Sequence, residues 1–491
     1  MAKTALEKHF APFRENTVGL HASFEGPYGQ KKILYADWIA SGRLYRPIEE
    51  RLSRDIGPYV ANTHTETSYT GAVMTQAYHQ AREQIKAHLN ARAEDVLIPT
   101  GTGMTGAVLK FQRILGLKLP EQFHNRVEIA DEERPVVFIS HMEHHSNQTS
   151  WLETTAEVVQ IHADGEGLLD LDHLRELLKT YQDRPVKIAS ITSCSNVTGI
   201  FTPYHQVAEL MHAHGGVCFV DFACSGPYVP IDMHPADKPE GYLDALFFSP
   251  HKFLGGPGSP GILVFSRALY KNEVPDQPGG GTVSWTNPWG GHRYVEDIEA
   301  REDGGTPGFM QTIRAALAMQ LKEQMDPQKM QAREEEQLHR LWPRLEKIPN
   351  LHLLAGNVRE RLGALSFYIE DCHYNLVVSL LNDLYGIQTR GGCSCAGTYG
   401  HYLLHVDPDY SQQITDLIDR GDLSLKPGWV RLSLHPIMNN AEIDYIAEAL
   451  EYLAAHWQKY AEDYHRLPGT TEYQHRQAQD HETRALQWLS L

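Results

Sequence analysis

Between residues 96 and 265 short apolar or β-branched runs recur, most of them separated by helical patterns, and this alternation restricts the fold more than any other feature. The runs fall at 96–98, 136–139, 158–161, 188–192, 218–220, 245–248 and 262–265, with helix-like stretches such as 171–181 and 204–214 between them. Strands alternating with helices predict an α/β domain, a mostly parallel sheet of seven strands covered by helices. In such sheets ligands bind beyond the carboxyl ends of the strands. Chemistry is therefore expected just after each run.

At 491 residues the chain is long enough for two or three domains. Residues 278–308 open with Pro278-Gly279-Gly280-Gly281 and close with Gly304-Gly305-Thr306-Pro307, which reads as a long irregular loop. Helices at about 309–325 and 331–347 follow, then a smaller α+β pattern. The predicted organisation is an N-terminal segment 1–30, a large α/β domain 31–310, a small α+β domain 311–464 and a polar tail 465–491. The densest charge run, 333–336, reads as a solvated helix face.

Sixty-two acidic against 44 basic residues give a formal charge of −18, which opposes non-specific attraction to nucleic acid or anionic lipid. Six cysteines are too few for a disulfide framework. The N-terminus lacks the apolar centre of a signal peptide, and no run approaches the roughly 18–20 apolar residues that span a bilayer. A cytoplasmic protein with neither nucleic-acid nor membrane partners is expected.

The strand ends carry distinctive residues. Run 96–98 leads into Thr100-Gly101-Thr102-Gly103, a turn opening a helix, where free backbone N–H groups can cradle a phosphate. Run 136–139 leads into His141, Glu143, His144 and His145. An imidazole stacked on an aromatic ring, a metal site and a satisfied polar cluster all stay open there. Run 218–220 ends at Asp221, a turn residue or a buried carboxylate able to keep a pyridine nitrogen protonated. Run 245–248 is followed by Ser249-Pro250-His251-Lys252. A lysine among apolar residues suits Schiff-base chemistry because burial disfavours its charged form.

Taken together, the stretches MEHHSN, SNVTG, VDFA, FFSPHK, GGGT, GGTP, RGGCSCAG and WVRLSL occur in an order that resembles the pyridoxal-phosphate-dependent class V aminotransferase family of fold type I. Within it, the likeness is to the cysteine desulfurase and selenocysteine lyase group, over about residues 35–440. The resemblance implies pyridoxal 5'-phosphate as cofactor, with Lys252 as its Schiff-base anchor, His144 stacked on the ring and Asp221 at the ring nitrogen. Asn196 would lie near the phenolic oxygen; Thr102, Gly103, Ser249 and His251 would hold the phosphate. Thr306, and the Gly279–Gly281 turn including Gly280, would approach the site of a second subunit, implying a homodimer. Arg431, with Arg390 and Asn196, would bind the substrate.

Cys395 falls on the family's catalytic cysteine, implying sulfur removal from L-cysteine through a Cys395 persulfide, release of alanine and a possible sulfur-acceptor protein. Cys393, Cys395, His401 and His405 also admit a zinc reading, though structural zinc sites favour wider cysteine spacing, and no metal is expected. Three departures from the family pattern stand out. Cys224 replaces a glutamine near the phenolic oxygen, residues 37–43 replace a smaller turn, and the 401–428 region is long. Other class V reactions (C–S or C–Se lyase, aminotransferase, epimerase) are the first alternative. A non-catalytic protein binding a metal or a partner is the second.

Overall fold

The structure, a computed structural model, describes residues 3–63, 65–477 and 481–490. The chain divides into two compact units: Asn16–Val18 with Ile39–Gln331, and Met1–Glu15 with Gly19–Trp38 and Ala332–Leu491.

Every apolar run expected to be a strand is one. In the first unit these are β1 (Val96–Thr100), β2 (Val136–Ser140), β3 (Glu157–Ile161), β4 (Lys187–Thr192), β5 (Val217–Asp221), β6 (Ala245–Phe248) and β7 (Gly261–Phe265). They form one seven-stranded sheet in the order β1-β7-β6-β5-β4-β2-β3. Only β7 runs antiparallel to its neighbours. The mixed α/β class is thus as the alternation predicts. Strands β2 and β4 to β7 are buried almost throughout, which is why they read as continuous apolar runs rather than alternating ones.

Helix α1 (Gly103–Ile114) lays Ala107, Val108, Phe111 and Ile114 on the sheet, a 3.6-residue stripe. The Phe111 ring lies 4.9 Å from Phe219 and 5.0 Å from Phe265. Truncating such a residue to alanine costs about 3–5 kcal/mol, so this packing anchors α1 on the sheet.

Residues 278–308 are not the irregular loop expected. Val283–Thr286 pairs with His292–Tyr294 in a hairpin, and a short helix, Ile298–Arg301, follows. The Asn287 side chain closes the hairpin turn by accepting from Trp289 N at 3.0 Å and Gly291 N at 2.9 Å. Helix Phe309–Met325 belongs to this unit, where it packs on Tyr69–His88.

The second unit is built on an antiparallel sheet of β8 (Leu351–Leu353), β9 (Ala364–Ile369), β10 (Arg390–Gly392) and β11 (Trp429–Ser433), in the order β8-β9-β11-β10. The N-terminal segment joins it: Leu34–Tyr35 pairs in parallel with Ile387–Gln388, and Asp37 bridges to Ser433. Arg14 adds a two-pronged pair with Glu442, at 2.6 and 2.7 Å. The 464–475 hairpin is tied to helix Tyr374–Tyr385 by Asn375 donating to Thr471 O and Ser379 donating to Tyr473 O. The 333–336 run is not a solvated face, because Arg333 is fully buried. Its guanidinium donates to Glu336 and to Met438 O, both at 2.8 Å, so partners replace the water a buried charge loses. Among the described residues no helix is long and apolar enough to cross a membrane.

Candidate active site

The larger unit gathers its chemistry beyond the carboxyl ends of its strands. After β1 the chain turns through Gly101 and Gly103, both at positive φ, into α1. Met104 N, at the start of α1, donates to Ser249 Oγ at 2.8 Å, joining this turn to the one after β6. The fit at Gly103 is close. A Cβ there would lie 2.8 Å from Ser249 Oγ and 2.9 Å from His251 Cε1. Gly103, with Thr102 before it, thus lies against Ser249 and His251. Burial, with the Lys252 charge beside it, lowers the His251 pKa to about 4, so its ring is neutral near pH 7.

His144 precedes helix α2 (His145–Leu152) and caps it, its Nδ1 accepting from Ser146 N at 3.1 Å. That bond turns the half-buried ring and assigns any proton of the neutral imidazole to Nε2. Thr105 and Ser146 share a hydroxyl bond of 2.7 Å between the first turns of α1 and α2.

Asp221 closes β5 and is buried. Burial pushes its pKa up to about 6, while the Ala223 N–H, at 2.8 Å, and the Lys252 charge pull the other way. Lys252, half-buried in the turn after β6, is thus electrostatically coupled to Asp221. Asn196 is buried after β4, and the Cys224 thiol lies 3.5 Å from the carbonyl of the preceding residue, Ser195. Thr306 and Gly280 sit on the exposed loops, where Thr306 accepts from Asn62 and Gly280 O accepts from Gly305 N.

Glu143, one member of the polar cluster expected after β2, has a role of its own. Its buried carboxylate accepts from Thr192 N at 2.8 Å, Ser140 Oγ at 2.5 Å and Asn147 Nδ2 at 2.8 Å, locking the ends of β2 and β4 together behind His144. Burial first, and then the Asp221 charge, push its pKa up to about 7. The available signal was an acid placed immediately before a candidate stacking histidine at a strand end.

The smaller unit holds the remaining candidates. Ala396 N donates to Cys393 O at 3.0 Å, closing a tight turn whose two central residues, Ser394 (φ 51°) and Cys395 (φ 56°), are both left-handed. Neither is glycine, so the turn carries strain of about 1–2 kcal/mol per residue. Cys395 is exposed on it, and Cys393 is half-buried. His401 has both ring nitrogens engaged, with Gly397 O and Ser411 Oγ, each at 2.8 Å. Among the described residues no group of His, Cys, Asp and Glu is arranged to hold a metal. Arg431 is buried on β11 and Arg390 is half-exposed opposite it on β10; both bond to Asp37.

Residues 34–446 match the Aminotransferase class-V family. The chain belongs to the class-V aminotransferase family. It is similar to a probable cysteine desulfurase of Halalkalibacterium halodurans, 26% identical over 368 residues that cover 74% of this chain and 84% of the relative. It is also similar to a cysteine desulfurase of Haloferax volcanii, 26% identical over 398 residues, 78% of this chain and 86% of that one. The fold resembles the apo structure of cysteine desulfurase from Thermococcus onnurineus NA1, with a TM-score of 0.72 and 20% identity, covering 93% of this chain and 100% of that one. Class-V aminotransferases use pyridoxal 5'-phosphate, and the residues present fit it. A helix N-terminus with a hydroxyl, a neutral imidazole and a tight glycine suits the phosphate, and a buried carboxylate at a strand end suits the ring nitrogen.

Proposed function

We propose that this class-V enzyme is a cysteine desulfurase, which takes sulfur from L-cysteine onto Cys395 and releases alanine. The observation that carries this reading is the display of Cys395. Of the six cysteines it alone is exposed, on a strained turn, while Cys194, Cys218, Cys224 and Cys372 are buried. The names of the relatives point the same way.

In this reading Thr102, Gly103, Ser249 and His251 hold the cofactor's phosphate, His144 lies against its ring, and Asn196 and Cys224 face its phenolic oxygen. Pyridoxal 5'-phosphate, when bound, supplies an electron sink for the substrate's α-carbon. Asp221 keeps a proton at the ring nitrogen. Lys252 would anchor the cofactor through its amine and would carry the proton taken from the substrate's α-carbon. Arg431, with Arg390 beside it, pairs with the substrate carboxylate. The Cys395 thiolate attacks the substrate sulfur, so the carbon–sulfur bond breaks and a sulfur–sulfur bond forms. One proton is added to the β-carbon, which kept the electron pair of the broken carbon–sulfur bond, and the proton held by Lys252 goes back to the α-carbon to complete alanine. The persulfide sulfur then passes to an acceptor thiol. We place the enzyme in the cytoplasm as a homodimer, with Thr306 and Gly280 near the second subunit's site.

The test incubates the cofactor-loaded protein with L-cysteine and a panel of amino acids, measuring sulfide, alanine and keto acid together. Alanine should appear in step with released or protein-bound sulfur. Cys395→Ala should lower that output by at least about a hundredfold while retaining the cofactor. Undiminished output from Cys395→Ala would remove the persulfide route and favour a lyase that spares the thiol; keto acid in place of alanine would mark a transaminase.

A further inference from the structure

Arg390 and Arg431 are direct partners across β10 and β11. Like charges placed opposite each other on neighbouring strands repel. One carboxylate stands between them: Asp37 Oδ1 accepts from Arg431 Nη2 at 2.8 Å, and Asp37 Oδ2 accepts from Arg390 Nε at 3.0 Å. Asp37 is held there by the main chain, through its bridge to Ser433 and a 2.7 Å bond from Ser433 N to Ala36 O. Its side chain is 13% exposed and that of Arg431 only 4%, so water screens this pair weakly, while Arg390 at the rim is 49% exposed.

The formal charge of the three groups is +1. One incoming carboxylate brings the cluster to neutrality. A second anionic group on the same ligand would overshoot, with Asp37 close enough to repel it. Without the Asp37 charge the two guanidiniums would present +2, which suits a dianion.

We propose that Asp37 is a specificity-determining residue: by cancelling one of two guanidinium charges, it tunes the anion site to amino acids with a single carboxylate and disfavours those with two. This rests on the reading of Arg431 as the holder of the substrate carboxylate. Asp37 also keeps the two like-charged forks side by side, so it positions Arg431 as well as setting the charge.

The experiment uses the cofactor-loaded protein and reads dissociation constants for L-alanine and L-aspartate from the change in visible absorbance, independently of any turnover. The ratio of the two constants is the readout, since general loosening of the site would weaken both ligands alike. Asp37→Asn should shift that ratio about tenfold in favour of L-aspartate, whereas Asp37→Glu should stay within about threefold of the wild type. Arg390→Gln, at a half-exposed position, removes a positive charge and should shift the ratio about tenfold the other way, which keeps the test alive if Asp37→Asn does not fold. A ratio within about twofold of the wild type in every folded charge-changing variant, while Arg431→Gln weakens both ligands by about tenfold or more, would overturn the role of Asp37 alone. If Arg431→Gln leaves both constants unchanged, the carboxylate lies elsewhere, and both readings fall.

Discussion

Replacing Gly103 with alanine tests the phosphate cradle at its tightest point. Gly103 has φ +63°, and a left-handed alanine costs about 1–2 kcal/mol. The new methyl would also lie 2.8 Å from Ser249 Oγ, closer than real Cβ contacts, so the hydroxyl must move. That hydroxyl accepts from Met104 N, and a buried N–H left without a partner costs about 1–3 kcal/mol. The sum is about 2–5 kcal/mol. Gly116→Ala separates the two parts, because Gly116 has φ +71° just beyond the far end of α1 and open space around it. Urea unfolding of the cofactor-free proteins should show the backbone cost in both variants and a further loss of about 1–3 kcal/mol only in Gly103→Ala. Titration with pyridoxal 5'-phosphate, followed by visible absorbance, should show Gly103→Ala binding at least about tenfold more weakly than Gly116→Ala, since about 1.4 kcal/mol is tenfold. Equal affinities in the two variants would refute the placement of the phosphate at this turn.

Lys252→Ala should leave the circular dichroism spectrum unchanged and abolish the visible band of covalently held cofactor; a covalent band that persists would take Lys252 out of its role. Glu143 and Asp221 have pKa values raised by burial, so each holds a proton in the folded state at a pH where the unfolded chain has released it. Their contribution to stability is present at acid pH and is lost as pH rises, through about 6 for Asp221 and about 7 for Glu143. Glu143→Gln removes one of these protons, so between pH 5 and 7 the wild-type cofactor-free protein should lose more stability than the variant, by up to about 1.4 kcal/mol per pH unit. Parallel pH profiles in urea unfolding would contradict that.

The large sheet was legible because its strands are covered by helices and so appear as unbroken apolar runs between helical patterns. The strand-end residues followed from the same rule, and most of those named for the cofactor do lie at those ends. What escaped had no local signature. Leu34–Tyr35 pairs with Ile387–Gln388 about 350 positions away, and two residues carry no periodicity. Arg333 looked like surface because charge alone says nothing of Met438 and Glu336 waiting for it. The hairpin within 278–308 was hidden by its glycines, although Asn287 and the two glycines after it are ordinary turn-formers. Glu143 was read as one member of a polar cluster. Its role depends on Thr192 N, on another strand, which no spacing along the chain displays.

The pairing of residues 34–37 with 387–433 has a consequence for the order of assembly on the ribosome. Residues 39–331 leave the exit tunnel as one continuous stretch and hold all seven strands of the large sheet, so this unit can close while translation continues. Leu34–Tyr35 and Asp37 precede this stretch but find their strand partners only after residues 387–388 and 433 have emerged. Until then the segment at residues 34–37 is an unpaired edge in search of its complement, the stage of synthesis at which a holding chaperone has most to protect.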